Sequence, residues 1–254
     1  MRDLFFALRS GFGFLSTIPV GISMEGIEAL MRHIYIFPVI GAVLGLMFAL
    51  TAWVLAEFAP HGIVAVLVLV VIYKICGINH ADGLADFADG VTVHSTREKK
   101  ISAMKDVYIG TGGVIFVVVT ILAIFAALAV VPLALLPLIL IAAEVSAKQS
   151  MITFAAFSDP LHKGFGQIAI ENTTSSDFLI GLVIASLICG ATLGALGLAA
   201  IVASQISAFY LVKVSKRNFG GATGDGFGAA NEIGRAMALV TSAAMWGTLT
   251  WMPW

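Results

Sequence analysis

The sequence predicts an all-α integral membrane protein of about seven transmembrane helices in one domain, with polar loops at one membrane face. Hydrophobic residues make up 59% of the 254 residues and charged residues 11%, whereas soluble domains are roughly half apolar and a quarter charged. The mean hydropathy is +1.01. The long apolar runs lack the alternation of barrel strands, so helices are the elements that satisfy the backbone within a bilayer.

The first four predicted spans are the clearest apolar stretches. A spanning helix needs about 20 predominantly apolar residues. The stretches that meet this requirement are residues 37–58, 63–78, 114–131 and 133–157.

The remaining spans lie in the second half of the chain. Residues 178–214 are too many for one span and fit two short helices, with a turn near Gly190, Gly194 and Gly197. A last span is expected over about residues 236–251. Residues 4–20 are apolar but interrupted by glycine and proline, which favours an interfacial or re-entrant segment, with an eighth span as the alternative.

The cations outside these spans all fall on one side of the membrane when the spans are numbered in order. They are Arg2, Arg9, Arg32, Arg97, Lys99, Lys100, Lys105, Lys163, Lys213, Lys216, Arg217 and Arg235. Because an excess of Lys and Arg marks cytoplasmic loops, we expect a multi-pass protein of the cell membrane whose polar loops face the cytoplasm. The C-terminus is then outside.

Charge and cysteine content exclude several classes of function. The net charge is −1, and no basic stripe is interleaved with aromatic residues, so we expect no nucleic-acid partner. Cys76 and Cys189 both lie in apolar stretches, where a free cysteine behaves as a small buried hydrophobe. Neither a disulfide framework nor a cysteine metal site is predicted.

The first polar loop contains an acidic run, GINHADGLADFADG, with His80, Asp82, Asp86 and Asp89. The three aspartates are spaced i, i+4 and i+7, so on a helix they share one face. Clustered carboxylates repel one another unless a cation lies among them, and oxygen ligands suit Mg²⁺ or, as the alternative, Mn²⁺. We therefore predict a catalytic metal site, against the simpler interpretation of a solvated polar loop.

The third polar loop, RNFGGATGDGFGAANE, is rich in glycine. Glycine turns let backbone N–H groups approach a phosphate closely, although a glycine hinge between spans explains this loop equally well. The candidate phosphate-binding residues are Gly220, Gly221, Thr223, Gly224 and Asp225. Asp225 and Glu232 are seven residues apart, so on a helix they share a face and are candidate metal ligands.

Charged residues near or within the later spans complete the candidate site. Lys105 and Asp106 begin a third glycine-containing motif, KDVYIGTGG, and are candidate substrate- or phosphate-binding residues. Lys105 is a candidate contact for an anionic substrate, with a membrane anchor as the alternative. Glu144 and Lys148 are one helical turn apart in an apolar stretch. Ionisable groups in membrane spans face a cavity or one another, so Lys148 is a candidate phosphate contact, with a neutral structural pair as the alternative.

At these residues the sequence resembles the cobalamin synthase family, the adenosylcobinamide-GDP ribazoletransferases. The run HADGLADFADG, residues 80–90, matches the signature HxDGLADxxDG of that family. The other segments that carry the resemblance are FLSTIPV from Phe14, FPVIGAVLG from Phe37, KDVYIGTGG from Lys105 and GGATGDGFGAANE from Gly220.

The resemblance implies transfer of cobinamide phosphate from adenosylcobinamide-GDP to α-ribazole or its 5′-phosphate, with release of GMP. It implies that Asp82, Asp86 and Asp89 hold a divalent metal, that His80 acts as base or orients a ligand, and that the glycine loop with Asp225 seats the diphosphate. Membrane lipid is an expected partner, and a homo-oligomer is left open.

Two rival functions are considered against this one. An ion or metabolite transporter carries charges at the midplane and matched helix breaks, but here the acidic cluster lies in a loop at one end. A CDP-alcohol-type phosphotransferase also aligns aspartates on membrane helices, but DGLADFADG lacks the DGxxAR pattern of that family.

Overall fold

The computed structural model describes residues 2–161 and 164–249. Within those ranges the chain is helical, and its one extended feature is an isolated bridge between Pro160 and Ala222. A short 3₁₀ turn covers Ile34–Ile36. The α-helices are α1 (Arg2–Leu15), α2 (Met24–Arg32), α3 (Phe37–Ala56), α4 (His61–Cys76), α5 (Asn79–Thr92), α6 (Arg97–Met104), α7 (Thr111–Val130), α8 (Leu136–Ala156), α9 (Phe165–Asn172), α10 (Ser175–Leu193), α11 (Ala195–Phe219) and α12 (Gly224–Leu249).

The polytopic helical class is confirmed, with fewer candidate spans than the seven we predicted. Among the described residues, five helices are long and apolar enough to cross a membrane: α3 with the 3₁₀ turn before it, α7, α8, α10 and α11. The pair α4 and α5 meets the same criteria only when joined across a 92° bend. The predicted last span overlaps α12, which begins earlier, at Gly224, and its predicted end at Trp251 lies outside the described residues.

The predicted split of residues 178–214 into two helices is confirmed. Helix α10 ends and α11 begins at Gly194, whose φ is +57°. This left-handed value is strained for residues with a side chain, so glycine permits the sharp reversal. At 25 residues α11 is longer than the short helix that the sequence suggested.

Helix α8 lies at the centre of the bundle, and the stretch from Ala142 to Ala155 is buried throughout. Helices α3, α10, α11 and α12 all pack against it. Two glycines bring α3 close, since a Cβ at Gly41 would lie 2.7 Å from the carbonyl oxygen of Glu144, and one at Gly45 would lie 2.7 Å from the Cα of Ile141. Polar side chains of α8 are therefore enclosed by other helices, which is where charges in a membrane protein are tolerated.

The N-terminal segment forms α1 and α2 and is not among the candidate spans found in the described residues. Helix α1 leaves Phe5 71% exposed, as an interfacial helix would. Its Asp3 meets the imidazole of His33 at 2.9 Å. This hydrogen bond holds the pKa of Asp3 below its usual range.

Candidate active site

The acidic run of the first polar loop forms helix α5, as its spacing predicts, and this helix crosses the start of α12. The crossing is close because both helices contribute glycine. A Cβ at Gly83 would lie 3.2 Å from the Cα of Asp225, and a Cβ at Gly228 would lie 2.7 Å from the carbonyl oxygen of His80. The crossing thereby joins the first and third polar loops, which are about 140 residues apart in sequence.

Three carboxylates gather at this crossing, and we call Asp82, Asp86 and Asp225 the crossing carboxylates. The carboxylate of Asp86 faces repulsion from the charges of Asp82 and Asp225 and, more weakly, from Asp89. Asp225 accepts a hydrogen bond from the hydroxyl of Thr223 at 3.1 Å. Over residues 2–161 and 164–249 no salt bridge to Asp82 or Asp86 is seen.

A cavity of about 190 Å³, which we call the crossing pocket, opens beside these acids. Its polar end is formed by Asn79, His80, Asp82 and Asp225. The rest of its wall is largely apolar, with phenylalanine and methionine side chains from α12 and from four other segments of the bundle. The arrangement places a histidine and two carboxylates at the end of an apolar chamber.

Asp89 is not directed to this pocket. It is buried at 7% exposure, and its two carboxylate oxygens accept hydrogen bonds from the backbone N–H of Gly110 at 2.7 Å and of Gly113 at 2.8 Å. These N–H groups belong to the N-terminus of α7, where the helix dipole favours an anion. Asp89 thus caps α7 and fixes it to α5.

The joint metal site expected from all three aspartates of α5 is therefore not formed in this structure. Asp89 is committed to α7, and no group of three or more His, Cys, Asp or Glu side chains within residues 2–161 and 164–249 is arranged to hold a metal. The motif KDVYIGTGG explains this, since a Cβ at Gly113 would lie 2.7 Å from the Asp89 carboxylate. The sequence shows the acidic run of α5 and the motif KDVYIGTGG, but it does not show that Asp89 of the first binds the backbone of the second.

A second pocket of about 310 Å³ lies on the Asp89 side of α5. Asp106, Gly110 and Gly112 line it together with Asp89. Asp106 accepts a hydrogen bond from the backbone N–H of Tyr108 at 3.1 Å. Lys105 is exposed and is not among the residues that line this pocket.

The predicted phosphate-binding glycines divide into two groups. Gly220 ends α11 with φ +87°, and Gly221 packs against the backbone of Leu161, so these two shape the turn. Thr223 is buried at 3% exposure. Gly224 and Asp225 begin α12 and line the crossing pocket, where the unsatisfied N–H groups of a helix N-terminus suit an anion.

Beneath the crossing, five side chains form what we call the buried charge cluster: Glu144, Lys148, Asn231, Glu232 and Arg235. Arg235 bonds Glu144 through two nitrogens, one of them at 3.3 Å, and bonds Glu232 at 2.6 Å. Lys148 donates to Glu144 at 3.2 Å and to Asn231 at 2.7 Å. Two acids and two bases balance, and each of these charged side chains is no more than 2% exposed.

This cluster holds two residues that the sequence assigned to the site. Lys148 is enclosed, so the structure supports the neutral pairing with Glu144, and its contact with substrate phosphate stays a prediction. Glu232 does not join Asp225 as a metal ligand here, because its oxygens accept from Arg235, from Asn231 at 2.9 Å and from Tyr73 at 3.1 Å.

The sequence predicts Arg235 only as a cytoplasmic cation and does not identify Asn231 as a candidate site residue. The spacing of Glu232 and Arg235 at i, i+3 on an amphipathic helix was the available signal for a side-chain pair. The partner Glu144 is 91 residues away from Arg235, and no local pattern identifies it.

Comparison with known proteins places the chain among enzymes of one kind. The family model described as cobalamin-5-phosphate synthase matches residues 7–243. Curated relatives named adenosylcobinamide-GDP ribazoletransferase include one from Methanosarcina mazei, 43% identical over 96% of this chain and 93% of the relative. Others are from Methanococcoides burtonii, 40% identical over the full length of both, and Pyrococcus abyssi, 34% identical over 92% and 96%. No solved structure matches the chain significantly.

Proposed function

The chain belongs to the cobalamin-5-phosphate synthase family, and from this membership we infer that it catalyses the adenosylcobinamide-GDP ribazoletransferase reaction of cobalamin biosynthesis with a divalent metal ion. The observation that carries the proposed mechanism is the crossing of α5 and α12, which gathers His80, Asp82 and Asp225 at one pocket, with Asp86 close enough to be repelled by both carboxylates. The acceptor is α-ribazole or its 5′-phosphate.

The reaction transfers the phosphoryl group attached to cobinamide from the bridging diphosphate oxygen to a ribose hydroxyl oxygen. The ribose 3′-hydroxyl oxygen of α-ribazole attacks the phosphorus attached to cobinamide and forms a new phosphate ester. The bond from that phosphorus to the bridging diphosphate oxygen breaks, and GMP leaves with this oxygen. The hydroxyl proton is released, so the reaction requires a base and stabilisation of charge on the phosphate oxygens.

The donor set at the crossing suits Mg²⁺, with Mn²⁺ as the alternative. Carboxylate oxygens are hard ligands, and Mg²⁺ is usually held by one or two carboxylates together with substrate phosphates and water. Two of the crossing carboxylates are therefore sufficient without a third protein ligand. When bound, such an ion supplies charge neutralisation and orientation of the diphosphate.

The protein itself contributes a general base, a binding site for the anionic substrate and an apolar pocket wall. His80 lines the crossing pocket together with Asp82 and Asp225, and we assign to it the role of accepting the hydroxyl proton. The start of α12 at Gly224 offers N–H groups to an anionic substrate. The buried charge cluster fixes α12, which carries Asp225, to α8.

The crossing is assigned to the cytoplasmic side of the cell membrane. Supporting this, the basic helix α6 packs against the C-terminal end of α11, where Lys100 donates to Asn218 at 2.6 Å, so the cations of both segments lie together. Lys and Arg excess marks the cytoplasmic face. A cysteine placed at His94, in a variant lacking Cys76 and Cys189, should resist an impermeant thiol reagent in intact cells, whereas labelling there would reverse the orientation.

The activity test is GMP release from adenosylcobinamide-GDP by purified protein. We expect release only with both α-ribazole and a divalent ion present, and formation of adenosylcobalamin in equal amount. Release without α-ribazole would indicate hydrolysis instead of transfer. Absence of GMP with every divalent ion tried would refute the proposed activity, and the transporter interpretation would then be the one to test by uptake into vesicles.

A further inference from the structure

The crossing pocket has two ends of different chemistry. Its polar end holds the reacting groups described above. Its apolar wall comes from six helices or turns of the bundle: Phe14, Met31, Ile34, Phe37, Met151 and Phe227. Met31, Ile34, Phe37 and Met151 are all no more than 1% exposed.

The volume of the crossing pocket limits the size of the ligand that it can bind. An apolar cavity of roughly 150 Å³ holds one benzene ring, and the crossing pocket measures about 190 Å³. Sites for complete drug-sized ligands are typically about 300–1,000 Å³. The pocket therefore suits a small ring system and not a whole nucleotide or a corrin macrocycle.

The chemistry of the wall limits the ring further. The six side chains offer no strong hydrogen-bond donor or acceptor. The polar edge of guanine would lose its hydrogen bonds to water there without replacement. A flat ring with little polarity gains apolar burial, aromatic contacts with phenylalanine and sulfur contacts with methionine.

Resting on the proposed function, we propose that the crossing pocket binds the aromatic base of the acceptor nucleoside. The base occupies the apolar end between Met31 and Met151, and its ribose lies at the polar end beside His80 and Asp82. The pocket then orients the attacking hydroxyl and selects the acceptor by the size and low polarity of its base. The donor GDP portion and the cobinamide lie outside this chamber.

Ala169 offers a way to fill the pocket from one side. It lines the cavity from α9 and is 3% exposed, so Ala169→Leu adds methylene and methyl groups where the base would lie. Helix α9 contacts α2, which carries Met31. Met31→Ala removes a similar volume and serves as the compensating change in the double variant.

The experiment is equilibrium dialysis of α-ribazole against purified protein in detergent, with Mg²⁺ and without donor substrate. We expect the parent to bind, Ala169→Leu to weaken binding by about tenfold or more, and the double variant with Met31→Ala to regain most of the affinity. Free dimethylbenzimidazole, which is the base of α-ribazole, should compete with α-ribazole for binding. Guanine should not compete. This pattern of loss and recovery follows from volume and not from general damage to the fold.

Four results would overturn the inference: no binding by the parent, unchanged affinity in Ala169→Leu, no recovery in the double variant, or equal competition by guanine. GMP release separates this inference from the proposed function. Binding of α-ribazole without GMP release refutes the activity and leaves the subsite standing. GMP release by Ala169→Leu with a parental KM for α-ribazole refutes the subsite alone.

Discussion

Acidic side chains occur in two neighbouring regions of the bundle, and the two regions neutralise them differently. In the buried charge cluster, Glu144 and Glu232 bind Arg235, and Lys148 completes the balance. At the crossing, the carboxylate of Asp86 is repelled by the charges of Asp82 and Asp225. The first region pairs its acids with buried cations, whereas in the second region neighbouring carboxylates repel one another.

The difference indicates which acids are structural and which bind a ligand. Charges inside a membrane protein are costly and are tolerated when paired, so the cluster is a brace between α8 and α12. Carboxylates that repel one another at a pocket are stabilised by an added cation. We therefore propose that a divalent metal binds at the crossing and that the cluster has a structural role.

The largest effect is expected when the cluster is unbalanced. Lys148→Met leaves two buried acids with one base and should lower the free energy of unfolding by about 3–5 kcal/mol. Glu144→Gln together with Lys148→Met leaves Glu232 paired with Arg235 and should recover most of this loss. Thermal melting in detergent compares the three proteins.

The activity of the same double variant distinguishes a structural role of Lys148 from a role in substrate binding. If it melts like the parent and releases GMP at a parental rate, the lysine is structural. If it melts like the parent but has lost most of its activity, Lys148 acts on the substrate and the brace is not its main role.

Asp82→Asn should reduce GMP release by about a hundredfold, because loss of a metal ligand removes charge stabilisation from phosphoryl transfer. The change keeps size and removes one repelling charge, so metal-free melting should be at least as high as in the parent. Parental turnover and parental metal dependence in this variant would remove Asp82 from the metal site.

A smaller effect on stability is expected from substitution of Asp89, which lies on α5 near the crossing but accepts hydrogen bonds from the N-terminus of α7. Asp89→Asn leaves one oxygen for two N–H groups and removes the charge at the helix N-terminus, so unfolding should become easier by about 1–2 kcal/mol. Asp86→Asn on the same helix is the matched control and should not lower stability. Activity at saturating Mg²⁺ should persist in the Asp89 variant, and a hundredfold loss would return Asp89 to the metal site.

The sequence was sufficient for features that depend on local composition. Apolar runs predicted the membrane class, the glycines among residues 190–197 predicted the turn that the structure places at Gly194, and the spacing of Asp82 and Asp86 predicted that they share a helical face. It could not supply the pairings that define the site, because Asp89 meets Gly110 over 21 residues and Glu144 meets Arg235 over 91. The predicted span count of seven exceeded the five helices, or six with the bent pair, because α4 meets the criteria only when joined to α5, and charged helix α12 does not meet them within the described residues.

The most direct test of the account is the melting temperature in detergent as a function of Mg²⁺ concentration, since an ion that binds only the folded state raises its stability. The parent and Asp89→Asn should both show a rise in melting temperature with added Mg²⁺. The double variant Asp82→Asn plus Asp86→Asn should show none. A parental rise in that double variant, or its loss in Asp89→Asn alone, would contradict the assignment of the metal to the crossing carboxylates.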